Sequence, residues 1–474
     1  MNTTAPNADS ADAFDPALWR VVAVVNLGPF MSNLDATIVN VSLSSLAQAL
    51  HSTVETIQWV TSGYLLSLAL MLPLSGWLVD RIGAKRLYLG CFSAFTISSL
   101  LCASAWSTDS LIGFRVLQGM AGGLLAPMAQ MMMARVAGRH MARVIGYSVV
   151  PLLLGSMFGP VLAGVILQHL SWRWLFYINL PVGLLAVALA LRFLPSDHAT
   201  LRPRTFDFRG FAMLSPGLVS LLYGIDHPNG RLGIAALAIA CVLIPAFILH
   251  AARKGTGAII DVGLFRNRIF FTAAITQFLT NGLVFSGQML VPLYLTLACH
   301  LSVTRTGWMM GAVGLGMLCT APFMGAVTGR FGLRNVAAAG ALAAGVALAP
   351  LIYMAQHRLS IALLLSALFV RGAGLGSINI PSMSAAYASI AKEDLPMATT
   401  SVNLVQRTGG PLLTTLVSIF LAWNMRMSHF GPQLIQPFAA AFVLLFLFHV
   451  LSIVATLRLP TFASFVRPVT SKPQ

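Results

Sequence analysis

The chain has 474 residues, 57% of them hydrophobic and 9% charged, with a formal net charge of +16 and a mean hydropathy of +0.82. Soluble domains carry about 25% charged residues, so this composition excludes a soluble enzyme and leaves a polytopic membrane protein. The positive charge is not gathered into one patch, which argues against nucleic acid as a partner.

The first 17 residues are polar and acidic and lack the basic start and small-residue cleavage site of a signal peptide. They read as a cytoplasmic tail ahead of an uncleaved first helix. Apolar runs long enough to cross a membrane then recur at about 18–41, 57–79, 87–106, 109–134, 144–168, 175–194, 209–226, 232–250, 269–297, 305–328, 335–355, 360–382, 400–425 and 436–458. Fourteen spans return the tail 459–474 to the side on which the chain began. Setting that side in the cytoplasm leaves only Arg173, Arg231, Arg305, Arg358 and Arg426 in outer loops and Arg115, Arg371 and Arg407 inside apolar runs. Every other Lys and Arg is then cytoplasmic, the positive-inside bias expected of an inner-membrane protein, with anionic lipid as a secondary contact.

An internal repeat divides the spans. "GWLVDRIGAKR" at 76–86 recurs as "GAVTGRFGLRN" at 325–335, and Phe114 and Arg115 are echoed by Val370 and Arg371. Two homologous halves are the arrangement of a secondary transporter, with its substrate site between them. The predicted all-α organisation is a six-helix half over 18–194, a linker with two extra helices over 195–268, and a second six-helix half over 269–458.

The opening span holds "SNLDATIVNV", 32–41, in which Asp35 is the one carboxylate clearly inside an apolar run. Such a residue costs about 2.5–3.5 kcal/mol to insert, which makes a functional reading the default over a polar group bonded to Ser32, Asn33, Thr37 or Asn40. A buried carboxyl whose exposure alternates between two sides can carry a proton, and a substrate competing with that proton gives antiport. Arg115 in "GFRVLQG" is the natural partner for Asp35; snorkelling to the outer interface is the alternative. Arg371 and Arg407 sit similarly in the second half, where no acid is available to pair with them, and Arg407 has substrate, carbonyls or lipid as candidate partners. In "GSMFGPVLAG", Gly155, Gly159, Gly164 and Pro160 give the fifth span a smooth, kinked face for close sliding. "WRWLFYINLPVG", 172–183, reads as an interfacial anchor. Asn33, Gln118, Gln277, Asn281 and Gln288 are candidates to line a mixed-polarity cavity with Arg371 and Arg407, although core packing is the commoner use of such residues.

No phosphate-cradling loop accompanies these features: "GAGLG" at 372–376 falls within an apolar run, so no ATP or other cofactor is expected. Cys91, Cys102, Cys241, Cys299 and Cys319 show neither CxxC pairing nor metal spacing and read as packing residues.

Together, "LDATIVNVSL", "GWLVDRIGAKR", "FRVLQGMAGG", "GSMFGPVLAG" and "WRWLFYINLPVG" resemble the major facilitator superfamily, and within it the fourteen-span drug/proton antiporter branch, the EmrB/QacA subfamily. The resemblance implies proton-driven export of amphipathic compounds, no enzymatic activity, and a coupling role for Asp35 and Arg115. It also implies a cytoplasmic latch built from Gly76, Asp80, Arg81, Gly83, Lys85 and Arg86, asymmetric here because Gly329 replaces the acid in the second copy. Some members carry a further membrane acid in the second half; its absence argues against dicationic substrates. Others hand substrate to a periplasmic adaptor and an outer-membrane channel, which makes those candidate partners. A dedicated exporter of one metabolite, toxin or siderophore is the alternative function.

Overall fold

The computed structural model describes residues 16–137, 140–195, 205–227, 230–427 and 435–461, and among them it holds helices and short connections but no strand. The helices before residue 195 are α1 (Pro16–Val41), α2 (Leu43–Ala49), α3 (Val54–Met71), α4 (Leu74–Ile82), α5 (Ala84–Ala103), α6 (Thr108–Ala137), α7 (Met141–His169), α8 (Trp174–Tyr177) and α9 (Asn179–Phe193). Next come α10 (Phe208–Asp226) and α11 (Arg231–Lys254). The remainder are α12 (Arg268–Leu293), α13 (Val303–Thr320), α14 (Met324–Phe331), α15 (Leu333–Val346), α16 (Ala349–Met354), α17 (Ile361–Ala388), α18 (Leu395–Met427) and α19 (Ile435–Leu457).

Eleven described helices or helix runs are long and apolar enough to cross a membrane, and a bent pair makes a twelfth. With α7 and α18, 29 and 33 residues long, the fold is compatible with the expected fourteen spans. The bent pair differs from the expected single span over 57–79: α3 and α4 meet at 58° around Leu72 and Pro73. Proline lacks the amide hydrogen and crowds the preceding turn, which is a sufficient cause of the break. The repeat has the same device, since α13 and α14 are separated by a 3-10 turn, Ala321–Phe323, that contains Pro322.

Both copies of the loop motif also end alike. Gly83 closes α4 at φ 94° and Gly332 closes α14 at φ 82°, a region that side-chain-bearing residues rarely adopt. Each glycine lets the chain reverse within one residue and start the next helix. Lys85 then donates through Nζ to the carbonyls of Leu191 and Leu194 at 3.0 and 2.7 Å, satisfying the end of α9.

We call the end of the molecule where α1 begins proximal and the end where it finishes distal. The apolar core is continuous at the proximal end and divided at the distal end. One cluster runs from Val21, Leu87 and Met131 through to Ala321, Ile380, Leu395 and Val402, and so includes helices from both repeats. Distally there are two separate clusters, one around Leu34, Val60, Leu111 and Phe176 and another around Leu290, Leu351, Leu368 and Phe442. The helices of the two repeats therefore meet along a proximal seam.

Polar contacts and glycines fasten that seam. Gln130 Oε1 accepts from Tyr387 Oη at 3.1 Å and from Asn403 Nδ2 at 2.6 Å, while the hydroxyls of Ser75 and Thr400 lie 2.7 Å apart. A Cβ on Gly76 would sit 3.1 Å from the Pro396 carbonyl oxygen, and one on Gly325 would lie 2.6 Å from Arg143 Cβ. The repeated glycine is thus the point where α4 crosses α18 and, symmetrically, where α14 crosses α7.

Candidate functional site

Asp35, Arg115 and Gln118 converge in the distal part of the first repeat, and all three side chains are completely buried. The 30-residue α6 holds Arg115 and Gln118 one turn apart on one face, opposite Asp35 on α1. Arg115 Nη1 donates to Asp35 Oδ2 at 2.5 Å and to Gln118 Oε1 at 2.6 Å, and its Nε donates to the Val60 carbonyl at 3.2 Å. Gln118 Nε2 donates to Asp35 Oδ1 at 3.2 Å and to Ser99 Oγ at 2.6 Å. The expectation that Asp35 and Arg115 are neighbours is thus a direct ion pair, and Gln118 belongs to its hydrogen-bonded surroundings.

Asn179, Ser99 and Tyr64 were not singled out from the sequence. Asn179, the first residue of α9 after the break behind α8, donates through Nδ2 to Asp35 Oδ1 at 2.7 Å and to Ser99 Oγ at 3.2 Å. Tyr64 of α3 puts its ring under the Arg115 guanidinium, 4.2 Å from ring centroid to Cζ, and its hydroxyl lies 2.7 Å from Ser32 Oγ. Asp35 therefore receives hydrogen bonds from three side chains, a set matched to an ionised carboxylate. Arg115 Nη2 and Asn179 Oδ1, both buried, have no hydrogen-bond partner, so one donor and one acceptor remain unused at the site. Asn179 stands inside the quoted "YINLPVG", where one amide in an aromatic belt was the available signal.

The glycines of α7 lie against the same stretch of α1. A Cβ on Gly155 would come 3.2 Å from the Phe30 carbonyl oxygen, and one on Gly159 would overlap the Thr37 side chain, whereas Gly164 faces open space. Asn33 Nδ2 donates to the Leu152 carbonyl at 2.7 Å, so it clasps α1 to α7. The Pro160 side chain lies outside the described residues. In the loop motif, Arg81 is exposed with its guanidinium 5.6 Å from the Trp77 ring, Arg86 is exposed, and Asp80 is buried in α4.

Second-repeat candidates are dispersed. Gln277 Nε2 donates to the Asn379 carbonyl at 2.8 Å and to Ser382 Oγ at 2.9 Å, which joins α12 to α17. Asn281 is half-buried against Gly410, and Gln288 is exposed. Arg407 is half-buried on α18, within electrostatic reach of the Tyr64 hydroxyl across the two repeats. Arg371 is buried, donates through Nη2 to the Leu283 carbonyl at 2.7 Å, and leaves its Nε without a partner. Its guanidinium fills the space that a side chain at Gly287 would need. The second repeat thus has an arginine beside α12 with glycine facing it, where the first has an arginine beside α1 with aspartate facing it.

A family model described as Major Facilitator Superfamily matches residues 25–298 and 269–474. The chain belongs to the major facilitator superfamily. It is 33% identical over 428 residues to the multidrug resistance protein B homolog of Mycobacterium tuberculosis, covering 88% of this chain and 78% of that one. Among solved structures, the human organic anion transporter MFSD10 matches with a TM-score of 0.64 at 16% identity, covering 93% of this chain and all of that one. The proton:xylose symporter XylE, bound to 6-bromo-6-deoxy-D-glucose, matches with a TM-score of 0.63 at 14% identity, covering 92% and 94%. At these identities the two structures establish the fold. This major facilitator protein is accordingly a multi-span membrane transporter and not an enzyme.

Proposed function

We propose that the chain is a proton-coupled exporter of amphipathic drugs, acting by alternating access, with Asp35 as the proton carrier and Arg115 as its counter-charge. The observation that carries this reading is the fully buried Asp35–Arg115 pair with Gln118 and Asn179 around it. A carboxylate held by three donors inside a low-dielectric helix bundle loses, on taking a proton, acceptor capacity at the protonated oxygen and the charge that strengthens the remaining bonds. Protonation therefore loosens α1 from α6 and α9, and release of the proton draws them together again. That gives the two repeats two arrangements, each favoured by one protonation state.

The closed proximal seam beside a divided distal core corresponds to an outward-facing arrangement when the proximal end is cytoplasmic, as the positive-inside bias favours. Both termini are then cytoplasmic and the membrane is the inner one. The domain plan follows as two six-helix halves over 18–194 and 269–458, with the inserted pair between them. Asp80, Arg81 and Lys85 with their glycines act as the cytoplasmic latch, at the crossing of α4 over α18. No cofactor is needed: one proton moving through about 150 mV supplies about 3.5 kcal/mol, enough for a several-hundredfold gradient of an uncharged compound. The breadth of the substrate range is supported by the name of the mycobacterial relative. Partners are the amphipathic substrate, protons and surrounding lipid, with a periplasmic adaptor and outer-membrane channel as candidates for onward delivery.

The test compares wild-type chain with Asp35→Asn at equal expression in a pump-deficient bacterium, measuring dye and drug efflux across cationic and neutral compounds. Wild type is expected to extrude several compounds and to stop when the proton gradient is collapsed, while the variant loses at least tenfold in rate. Full activity in the variant would refute proton coupling through Asp35. Efflux of a single compound would replace the multidrug reading with that of a dedicated exporter.

A further inference from the structure

The two helices inserted between the repeats are not a peripheral appendage. Asp207, the N-cap of α10, is 2% exposed, and its carboxylate gathers three separate pieces of chain. It accepts from the Gly210 amide at 3.1 Å in its own helix, from His250 Nε2 at 3.0 Å and Lys254 Nζ at 2.7 Å at the end of α11, and from the Ile259 amide at 3.1 Å in the segment that follows. One side chain thus fixes the start of α10, the end of α11 and the chain leading towards α12. Such a concentration of charge-assisted bonds on one buried acid makes the unit a rigid body.

That unit sits across the proximal seam. Ala258, Ile259 and Ile260 are buried in a cluster with Leu218 and Phe247, and Leu74 of α4 and Leu404 of α18 pack on the same cluster. Phe206, next to Asp207, lies against Trp77 of α4 with ring centroids 4.8 Å apart. A narrow crevice is bordered jointly by Trp77, Asp207, Ile259 and Met397 of α18. These contacts fall beside the Gly76–Pro396 crossing and the Ser75–Thr400 bond. On the side of α3 and α4 the unit has a further polar anchor, since Ser215 Oγ of α10 donates to the Leu70 carbonyl at 3.0 Å, just before the bend at Pro73. Among the described residues it meets α18 at Leu404, with Met397 across the crevice.

We propose that α10, α11 and the segment 255–266 form a clamp over the proximal seam, with Asp207 as its positioning residue. The proposal rests on the alternating-access reading. The clamp stays with α3 and α4, held by Ser215 and by the Phe206–Trp77 contact, and releases Met397 and Leu404 of α18 when the seam opens. Asp207 does not touch substrate. It keeps Ile259 and Phe206 in register so that both sides of the seam are gripped together, and it thereby sets how much of the population is proximally open.

The experiment uses the full chain in lipid nanodiscs, with Cys91, Cys102, Cys241, Cys299 and Cys319 replaced and spin labels introduced in pairs at the exposed positions Ile82, Arg209 and Glu393. Conditions that open the proximal end are expected to lengthen the 82–393 and 209–393 distances together while leaving 82–209 unchanged. Asp207→Asn is expected to raise the proximally open fraction about tenfold, and Asp207→Glu to restore it, a rescue that a general loss of folding would not give. Phe206→Ala leaves the hub intact and raises the same fraction, which tests the clamp even if Asp207→Asn does not fold. Lengthening of 82–209 with 209–393 fixed, or an unchanged open fraction in folded Asp207→Asn and Phe206→Ala, would overturn the clamp. An 82–393 distance that never lengthens in wild type would instead strike the alternating-access reading beneath it, and the clamp would fall with it.

Discussion

Asp35 and Asp207 are both buried acids, yet their surroundings differ. Asp35 has one cation and two amides around it inside the bundle, and under the proposed mechanism a proton would displace these partners and change how the helices pack. Asp207 lies outside the spans. Burial pushes its carboxyl up, but bonds from Lys254, His250 and the amides of Gly210 and Ile259 outweigh that and bring it to about 2. A depressed carboxyl contributes stability above its unfolded value of about 3.9, and that contribution is lost only as pH falls through the folded value. In a His250→Gln chain, where the hub keeps no imidazole, Asp207→Asn is therefore expected to lower the thermal midpoint equally at about pH 5 and about pH 8. A loss that shrank between those two values would mean that the Asp207 carboxylate titrates in that window. Asp35 was legible from sequence because an acid inside an apolar run has few bland explanations. Asn179, Ser99 and Tyr64 were not, because a single neutral polar residue in such a run is common and its partners lie on other helices.

The glycine turns and proline breaks carry the design of the individual elements. Gly83 and Gly332 end α4 and α14 in the same conformation, and neither helix could be joined to the next by a one-residue reversal otherwise. Replacing either by alanine is expected to cost about 1–3 kcal/mol, read as a lower unfolding midpoint in detergent, and at Gly332 a Cβ would in addition overlap the Thr461 carbonyl oxygen. Equal midpoints for wild type and both variants would show that these positions relax. The two motif copies were visible in the sequence as an imperfect repeat. The 58° bend was not: Pro73 stands within an apolar stretch of span length, and hydropathy alone does not distinguish one straight helix from two segments.

For the whole molecule, the all-helical, multi-span character was readable because length and apolarity report what must cross a bilayer. The assembly of the spans was not, because lipid-facing and buried faces are both apolar here, and the periodicity that betrays a core in water-soluble helices disappears. Leu117 and Leu124 of α6, for example, are half exposed and almost fully buried respectively, with identical side chains.

The continuous proximal core has a thermal consequence. Most helix contacts in this molecule exchange one apolar surrounding for another, so water has little part in them. The seam differs, since parting it would open Met131, Ile380 and Val402 to an aqueous vestibule. Hydration of apolar surface raises heat capacity, and the attraction it drives weakens on cooling. Closure of the proximal end should therefore bend with temperature where the rest of the fold does not, with the closed fraction falling as the sample is chilled. The 82–393 distance distribution, followed from warm to near-freezing nanodiscs, reads that curvature directly, and a straight van't Hoff line would mean that the seam parts without becoming wet.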